Sequence, residues 1–204
     1  LDNLIIILLN IVLRKYGGAV QGDRLITCAT VVQSFLTIVF CPAQGITTGC
    51  GTIFSYHYGA RNHAELNNLY SKSLRLIGVI AVVMTALSML VIPYVARIFV
   101  GYDAELLALT SHAFRVYALN FFLMGFNVYG SSFFTALGDG VTSALISFLR
   151  TLLFQLLALI FLPMVLGIEG VWLAVTAAEA GALCVTALMF ITKDKVFHYR
   201  KASC

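Results

Sequence analysis

Charge is what this chain has least of. Of its 204 residues only 11% are charged, 13 Lys or Arg against 9 Asp or Glu. A soluble domain carries about 25%. Stretches 76–96, 116–137 and 151–166 contain no Asp, Glu, Lys or Arg at all. A soluble core has no room for this much apolar surface, and the mean hydropathy of +0.94 has the same cause. Alternation of apolar and polar residues is also missing from 76–90 and 152–162. Membrane β-strands need that alternation, so a closed barrel is excluded and helices remain.

Other absences narrow the chemistry. The cysteines Cys28, Cys41, Cys50, Cys184 and Cys204 form no Cys-x-x-C pair. No His/Cys cluster stands at ligand spacing, so neither a disulfide framework nor a metal centre is indicated. No Ser/His/Asp arrangement, His-Glu-x-x-His helix or phosphate-binding glycine loop is present. Enzyme chemistry has no support, and no cofactor is implied. The net charge of +4 suits loops near lipid headgroups, not nucleic acid. The chain starts at Leu1 instead of Met, and its first apolar run, 4–13, is too short to span a bilayer. It lacks the basic start and small-residue cleavage site of a signal peptide. The expectation is a fragment whose first helix has lost its beginning.

What the chain does have is long apolar runs separated by turn residues. An all-α, polytopic membrane protein with a six-helix bundle is expected. Tyr16-Gly17-Gly18 ends the first helix; the others cover 24–58, 72–100, 105–137, 141–166 and 171–192. The polar stretch 61–68, with His57 and His63 flanking Gly59, reads as a loop. Gly101-Tyr102-Asp103, Gly138-Asp139-Gly140 and Gly167-Ile168-Glu169-Gly170 read as turns, since glycine reaches positive φ cheaply. Alternate loops then face opposite sides. One side holds Arg61, Lys72, Arg75, Lys193, Lys195, Arg200 and Lys201; the other holds only Arg14, Lys15, Arg24 and Arg97. Basic loops favour the cytoplasm. The bundle, 1–192, is expected in the plasma membrane, with a basic cytoplasmic tail at 193–204.

Glu179 stands out within the sixth run, among Ala174, Ala177, Ala178, Ala180, Gly181 and Ala182. An ionisable group at mid-membrane costs roughly 2.5–3.5 kcal/mol or more and marks a functional site. Glu179 is therefore expected to bind a proton or cation, and its small neighbours to admit another helix closely. The alternative role is a protonated hydrogen-bonding anchor between helices. Arg115 and Arg150 lie about ten residues into their helices. Snorkelling to a nearby aqueous end explains both, and their depth argues against contact with Glu179. Gln33, Gln44, Asn120, Asn127 and Gln155 interrupt apolar runs and either bond between helices or line a polar cavity. Asn120 and Asn127 are seven apart and share a helix face. Aromatic and amide groups such as Asn127 and Tyr129 would suit an amphipathic organic cation. Pro42 removes a backbone donor and is expected to kink its helix.

Several motifs are more specific in combination. Gly49-Cys-Gly-Thr-Ile-Phe-Ser-Tyr-His-Tyr-Gly-Ala60 resembles a motif of multidrug and toxic compound extrusion (MATE) transporters, Gly-x-Gln-Pro-Ile-x-Gly-Tyr-Asn-Tyr-Gly-Ala. Gly17-Gly18, Phe134-Thr-Ala-Leu-Gly138, Ser147-Phe-Leu-Arg150 and Gly170-Val-Trp-Leu-Ala174 follow the same family order. The Gln-Pro of the motif is Gly51-Thr52 here, its second glycine Ser55 and its Asn His57. The resemblance implies the C-terminal lobe, helices seven to twelve, of a twelve-helix antiporter. Such proteins exchange H⁺ or Na⁺ for cationic drugs by alternating access, and this lobe's partner would be a missing N-terminal six-helix lobe. Glu179, Asn120, Asn127, Gln33, Gln44 and Tyr129 are the expected substrate or ion site; Pro42, Gly59, Gly138 and Arg150 are expected to be structural. Two alternatives remain. One is a lipid-linked oligosaccharide flippase of the same superfamily, which needs fixed positive charge in its cavity. The other is a non-transporting membrane scaffold.

Overall fold

The computed structural model describes residues 2–101, 104–197 and 199. Every regular element among them is helical. Helix α1 (Asp2–Gly59) breaks at Gly18, where φ is 69° and ψ −171°. An L side chain disfavours that φ, so glycine lets the chain fold sharply between a short first arm and the span Gln21–Gly59. Then come α2 (His63–Val100), α3 (Ala104–Ala136), α4 (Gly140–Phe148), a π-helical segment (Leu149–Phe154), α5 (Gln155–Leu166) and α6 (Ile168–Phe197). α4, the π segment and α5 run on as one membrane span, Gly140–Leu166. The short arm plus five spans reproduce the six expected helices. Side chains such as Leu90, Ile98, Met164 and Val165 stand exposed on the outside, where only lipid accommodates them.

The elements differ from expectation mainly at their polar ends. α2 begins at His63, nine residues before the apolar run suggests. Asn62 caps it by accepting a hydrogen bond from the Glu65 N–H at 3.1 Å. Hydrogen bonding carries a helix past the lipid edge, where hydropathy no longer marks it. His57 accordingly lies in the last turn of α1 and His63 opens α2, so neither is a loop residue. α6 likewise runs to Phe197, which places Lys193 and Lys195 on a helix instead of in a tail. The backbone stays helical through Pro42; the break in α1 falls at Gly18. Gly138 turns the chain with φ 82°, as its motif requires. Leu1, Tyr102, Asp103, Arg200, Lys201 and Cys204 lie outside the described residues.

Two apolar cores stand at opposite ends of the bundle. One gathers Leu13, Leu25, Cys28, Phe114, Tyr117 and Trp172 from α1, α3 and α6. The other is aromatic: Phe54, Tyr70, Phe133, Phe134, Phe190 and Tyr199. Their rings meet edge-on or tilted, for example Phe54–Phe133 at 4.9 Å and Phe133–Phe190 at 5.4 Å, geometry that adds about 0.5–1.5 kcal/mol per pair beyond area burial. Between the cores, α3 and α6 present polar residues, and that layer holds the site.

Close approach requires glycine at position 170. A Cβ on Gly170 would stand 2.3 Å from the Leu162 carbonyl oxygen, which is backbone and cannot swing away. Gly170→Ala should therefore lower the thermal unfolding midpoint of the detergent-purified protein, by the equivalent of about 1–3 kcal/mol. Gly45→Ala is the control, since its Cβ meets nothing within 4 Å. Its midpoint should hold or rise.

Candidate functional site

The polar layer opens into a cavity of about 720 Å³. α1 contributes Gln33 and Gln44, α3 Asn120 and Asn127, the π segment Arg150, α5 Gln155 and α6 Glu179. Asn120 and Asn127 share a face as their spacing requires, and both are buried. Ile5, Leu36, Met124 and Val175 complete the wall with apolar surface. A few polar groups on an apolar wall is the usual make-up of an organic-ligand site.

Glu179 is the centre of the hydrogen bonding. Asn127 Nδ2 donates to Glu179 Oε2 at 2.7 Å and to its carbonyl oxygen at 2.9 Å. Thr186 Oγ1, two turns along α6, donates to Asn127 Oδ1 at 3.1 Å. One amide thus ties α3 to α6 at three points. The small residues around Glu179 allow the expected approach: Ala178 and Ala182 are buried, and Phe154 of the π segment packs on Gly181.

Arg150 corrects the sequence reading. It neither snorkels nor stays remote from Glu179. Its Nη1 lies 3.7 Å from Glu179 Oε1, and only 20% of its side chain is exposed. A π turn carries one residue more than an α turn and changes the direction of the side chains that follow. Arg150 sits at the start of such a segment, so its position in the run is a poor measure of its depth. The pair is loose. Arg150 Nη1 has no hydrogen-bond partner, and neither has Asn120 Oδ1. One donor and one acceptor are thus left unsatisfied on residues that line the cavity. Arg115, by contrast, is exposed on α3, consistent with snorkelling.

Tyr129 is a second correction. It does not line the cavity. It is buried in the aromatic core, stacked on Phe133 and Phe190, with its hydroxyl 2.6 Å from Ser73 Oγ. Tyrosine offers both a ring and a hydroxyl, and here both are used between helices. Gln155, expected either to bond between helices or to line a cavity, does line it; sequence reasoning missed the serines Ser131, Ser132 and Ser147, which line it too. One helical turn separates Ser131 from Asn127 and Ser147 from Arg150, and that spacing was the available signal. Pro42 is not among the lining residues, although Cys41 and Gln44 beside it are. No group of His, Cys, Asp or Glu suited to a metal ion occurs among the described residues.

Ion pairs close both ends of the bundle. Arg24 meets Glu105 at 2.7 Å and His112 meets Glu169 at 3.0 Å, on the side of Gly101 and Gly167. These pairs are exposed and contribute little. At the opposite end Lys193 Nζ lies 2.8 Å from Asp139 Oδ2. Asp139 also accepts from the Thr142 N–H and hydroxyl at 3.1 and 2.6 Å, capping α4.

A bundle of apolar helices around an internal polar cavity defines the class: a multi-pass helical membrane protein with room for a small molecule. The MatE family profile matches residues 1–160, and the chain belongs to that family. Among solved structures, it superposes on an outward-facing multidrug resistance MATE transporter with TM-score 0.86 at 23% identity, covering 96% of this chain and 43% of the other. An inward-facing one gives 0.84 at 21%, covering 98% and 45%. A Pyrococcus furiosus transporter, described as having a binding pocket of reverse polarity that suggests a different function, gives 0.85 at 22%, covering 96% and 43%. At these identities the likeness is one of fold. The chain spans less than half the length of each. No curated protein matches the chain.

Asp139 supplies a pH test. Burial raises its pKa, but Lys193 and the two Thr142 hydrogen bonds together outweigh that and hold it below its ordinary 3.8. A depressed carboxyl contributes stability above its unfolded pKa and loses it as pH falls through the folded one. Asp139→Asn should therefore lower the unfolding midpoint at neutral pH. The gap to the parent should close as pH falls below about 3.8. A gap that stays constant with pH would show that the charge is not what matters.

Proposed function

We propose that this chain is the C-terminal six-helix lobe, helices seven to twelve, of a twelve-helix antiporter. It would exchange H⁺ or Na⁺ for amphipathic organic cations across the plasma membrane, with the end bearing Asp139 and Lys193 in the cytoplasm. Residues 1–192 form the transport lobe in this reading. The 193–204 segment, its first turn still helical, forms the cytoplasmic end. A second, N-terminal lobe supplies the surface against which this one rocks. Support comes from the MatE family match, from coverage of 43–45% of the full-length relatives, and from near-equal likeness to an outward- and an inward-facing structure, as a lobe moving as a body should have.

The observation that carries the mechanism is Glu179 in the cavity, 3.7 Å from Arg150 and hydrogen-bonded by Asn127. An ionised Glu179 offsets the Arg150 charge, and the cavity is then electrically neutral. Its amides and ring faces accept an organic cation. A proton on Glu179 removes the offset and leaves Arg150 as a net positive charge in a low-dielectric space, which repels the cation. Proton and drug therefore alternate. A Na⁺ ion held by Glu179 and Asn127 would have the same electrostatic effect.

Arg150 also lends weight to the lipid-precursor flippase reading, because a fixed cation facing a cavity is what a pyrophosphate requires. Pairing with Glu179 favours the antiporter, since the guanidinium is already partly answered. A cavity lined by Glu179 and several amides counts against a mere scaffold.

The test is ethidium efflux by the full-length transporter carrying Glu179→Gln, which keeps the Asn127 hydrogen bond but cannot exchange a proton. Efflux should fall by about tenfold or more and lose its pH dependence. Transport and pH dependence both unchanged would overturn the role of Glu179. Loss of lipid-precursor transport with drug efflux intact would favour the flippase.

A further inference from the structure

Four hydroxyls form a single file between α3 and α4. Ser131 Oγ lies 2.8 Å from Ser147 Oγ and 2.9 Å from Ser143 Oγ. Ser143 Oγ lies 2.6 Å from Thr135 Oγ1. Ser131 and Ser147 line the cavity that holds Glu179 and Arg150. Thr135 is exposed in the last turn of α3, beside the Gly138 turn. The file thus runs from the cavity to the end of the bundle where Asp139 and Lys193 meet. Thr135 Oγ1 also donates to the Ser131 carbonyl oxygen one turn back at 2.9 Å; hydroxyls such as Thr27, Thr30, Ser34 and Thr37 make only that bond to their own helix. Each hydroxyl both donates and accepts, and in all three contacts either oxygen can be the donor.

We propose that Ser147, Ser131, Ser143 and Thr135 are a proton relay connecting the Glu179 cavity with the aqueous end of the bundle at Asp139. The proposal rests on Glu179 as the coupling carboxyl and commits the coupling ion to H⁺. A proton leaves the Glu179 carboxyl, crosses the cavity on water and binds the Ser147 oxygen. Ser147 passes its own proton to Ser131, Ser131 to Ser143 and Ser143 to Thr135, and Thr135 releases one to water. One proton enters and one leaves. No hydroxyl keeps a charge, and rotation of the hydroxyls resets the file. The charged groups at its two ends suit that traffic. Once the proton has left, ionised Glu179 offsets Arg150 at the inner end, and the Asp139 carboxylate stands with Lys193 at the outer one.

Ser143→Ala cuts the file outside the cavity. In proteoliposomes of the full-length transporter, with ethidium as substrate and an internal pH dye, it should leave equilibrium ethidium binding and its pH dependence unchanged. Proton-coupled exchange should slow by about tenfold. Ser143→Thr, which keeps a hydroxyl, should restore the rate, and Thr135→Val should slow it like Ser143→Ala if the latter does not fold. Wild-type exchange rates in Ser143→Ala or Thr135→Val overturn the relay, as does exchange driven by Na⁺ without H⁺ movement. Ethidium binding weakened in Ser143→Ala and equally weak in Ser143→Thr would overturn it too, by assigning the file a purely structural role. Glu179→Gln in the same assay separates the two claims. A pH dependence it leaves intact overturns the coupling carboxyl. Wild-type rates in Ser143→Ala beside a Glu179→Gln that has lost its pH dependence overturn the relay alone.

Discussion

A polar side chain inside a bilayer has to be answered by another polar group, because neither water nor lipid will do it. In this chain the demand centres on Glu179. Asn127 answers it from α3, Arg150 from the π segment, and Thr186 fixes the amide that does the answering. These contacts set the rotation of α6 against α3 and draw Arg150 inward. The answers are incomplete beside the cavity: Asn120 Oδ1 and Arg150 Nη1, on two residues that line it, are buried without partners.

The apolar parts of the bundle frame that layer. One core of Leu, Phe and Trp side chains and another of interlocked aromatic rings close it off along the membrane normal. Packed apolar ends thus enclose a loosely paired polar middle. The ion pair of Asp139 with Lys193 ties α6 to the α3–α4 turn at one end. The hydroxyl file starts just inside that turn. Structure and the proposed traffic of protons thus share one corner of the molecule.

Much of the fold is legible in residue order. Apolar runs of bilayer length mark the spans, and Gly18, Gly138 and Gly167 mark turns where the backbone takes positive φ. Ends are harder. α2 reaches back to His63 and α6 on to Phe197 because capping and hydrogen bonding, not hydropathy, decide where a helix stops outside lipid. Of the site, Glu179 and the shared face of Asn120 and Asn127 follow from rarity and spacing. Tyr129 does not belong there, because an aromatic hydroxyl serves a packed core as readily as a cavity. Arg150 escapes sequence reasoning for a different reason. Counting residues from a helix end assumes a straight α-helix, and the π segment at Leu149–Phe154 breaks that assumption.

By itself the sequence determined the solvent, the helical character, the number of spans and the presence of a costly carboxyl within one of them. Those are properties of composition and local periodicity, and the bilayer leaves a chain few ways to satisfy them. Which polar groups meet was decided only by tertiary structure. Glu179 with Arg150, and Ser131 with Ser143 and Ser147, are contacts between helices. They depend on how each helix is rotated, tilted and locally underwound against its neighbours, and no single run of residues encodes that.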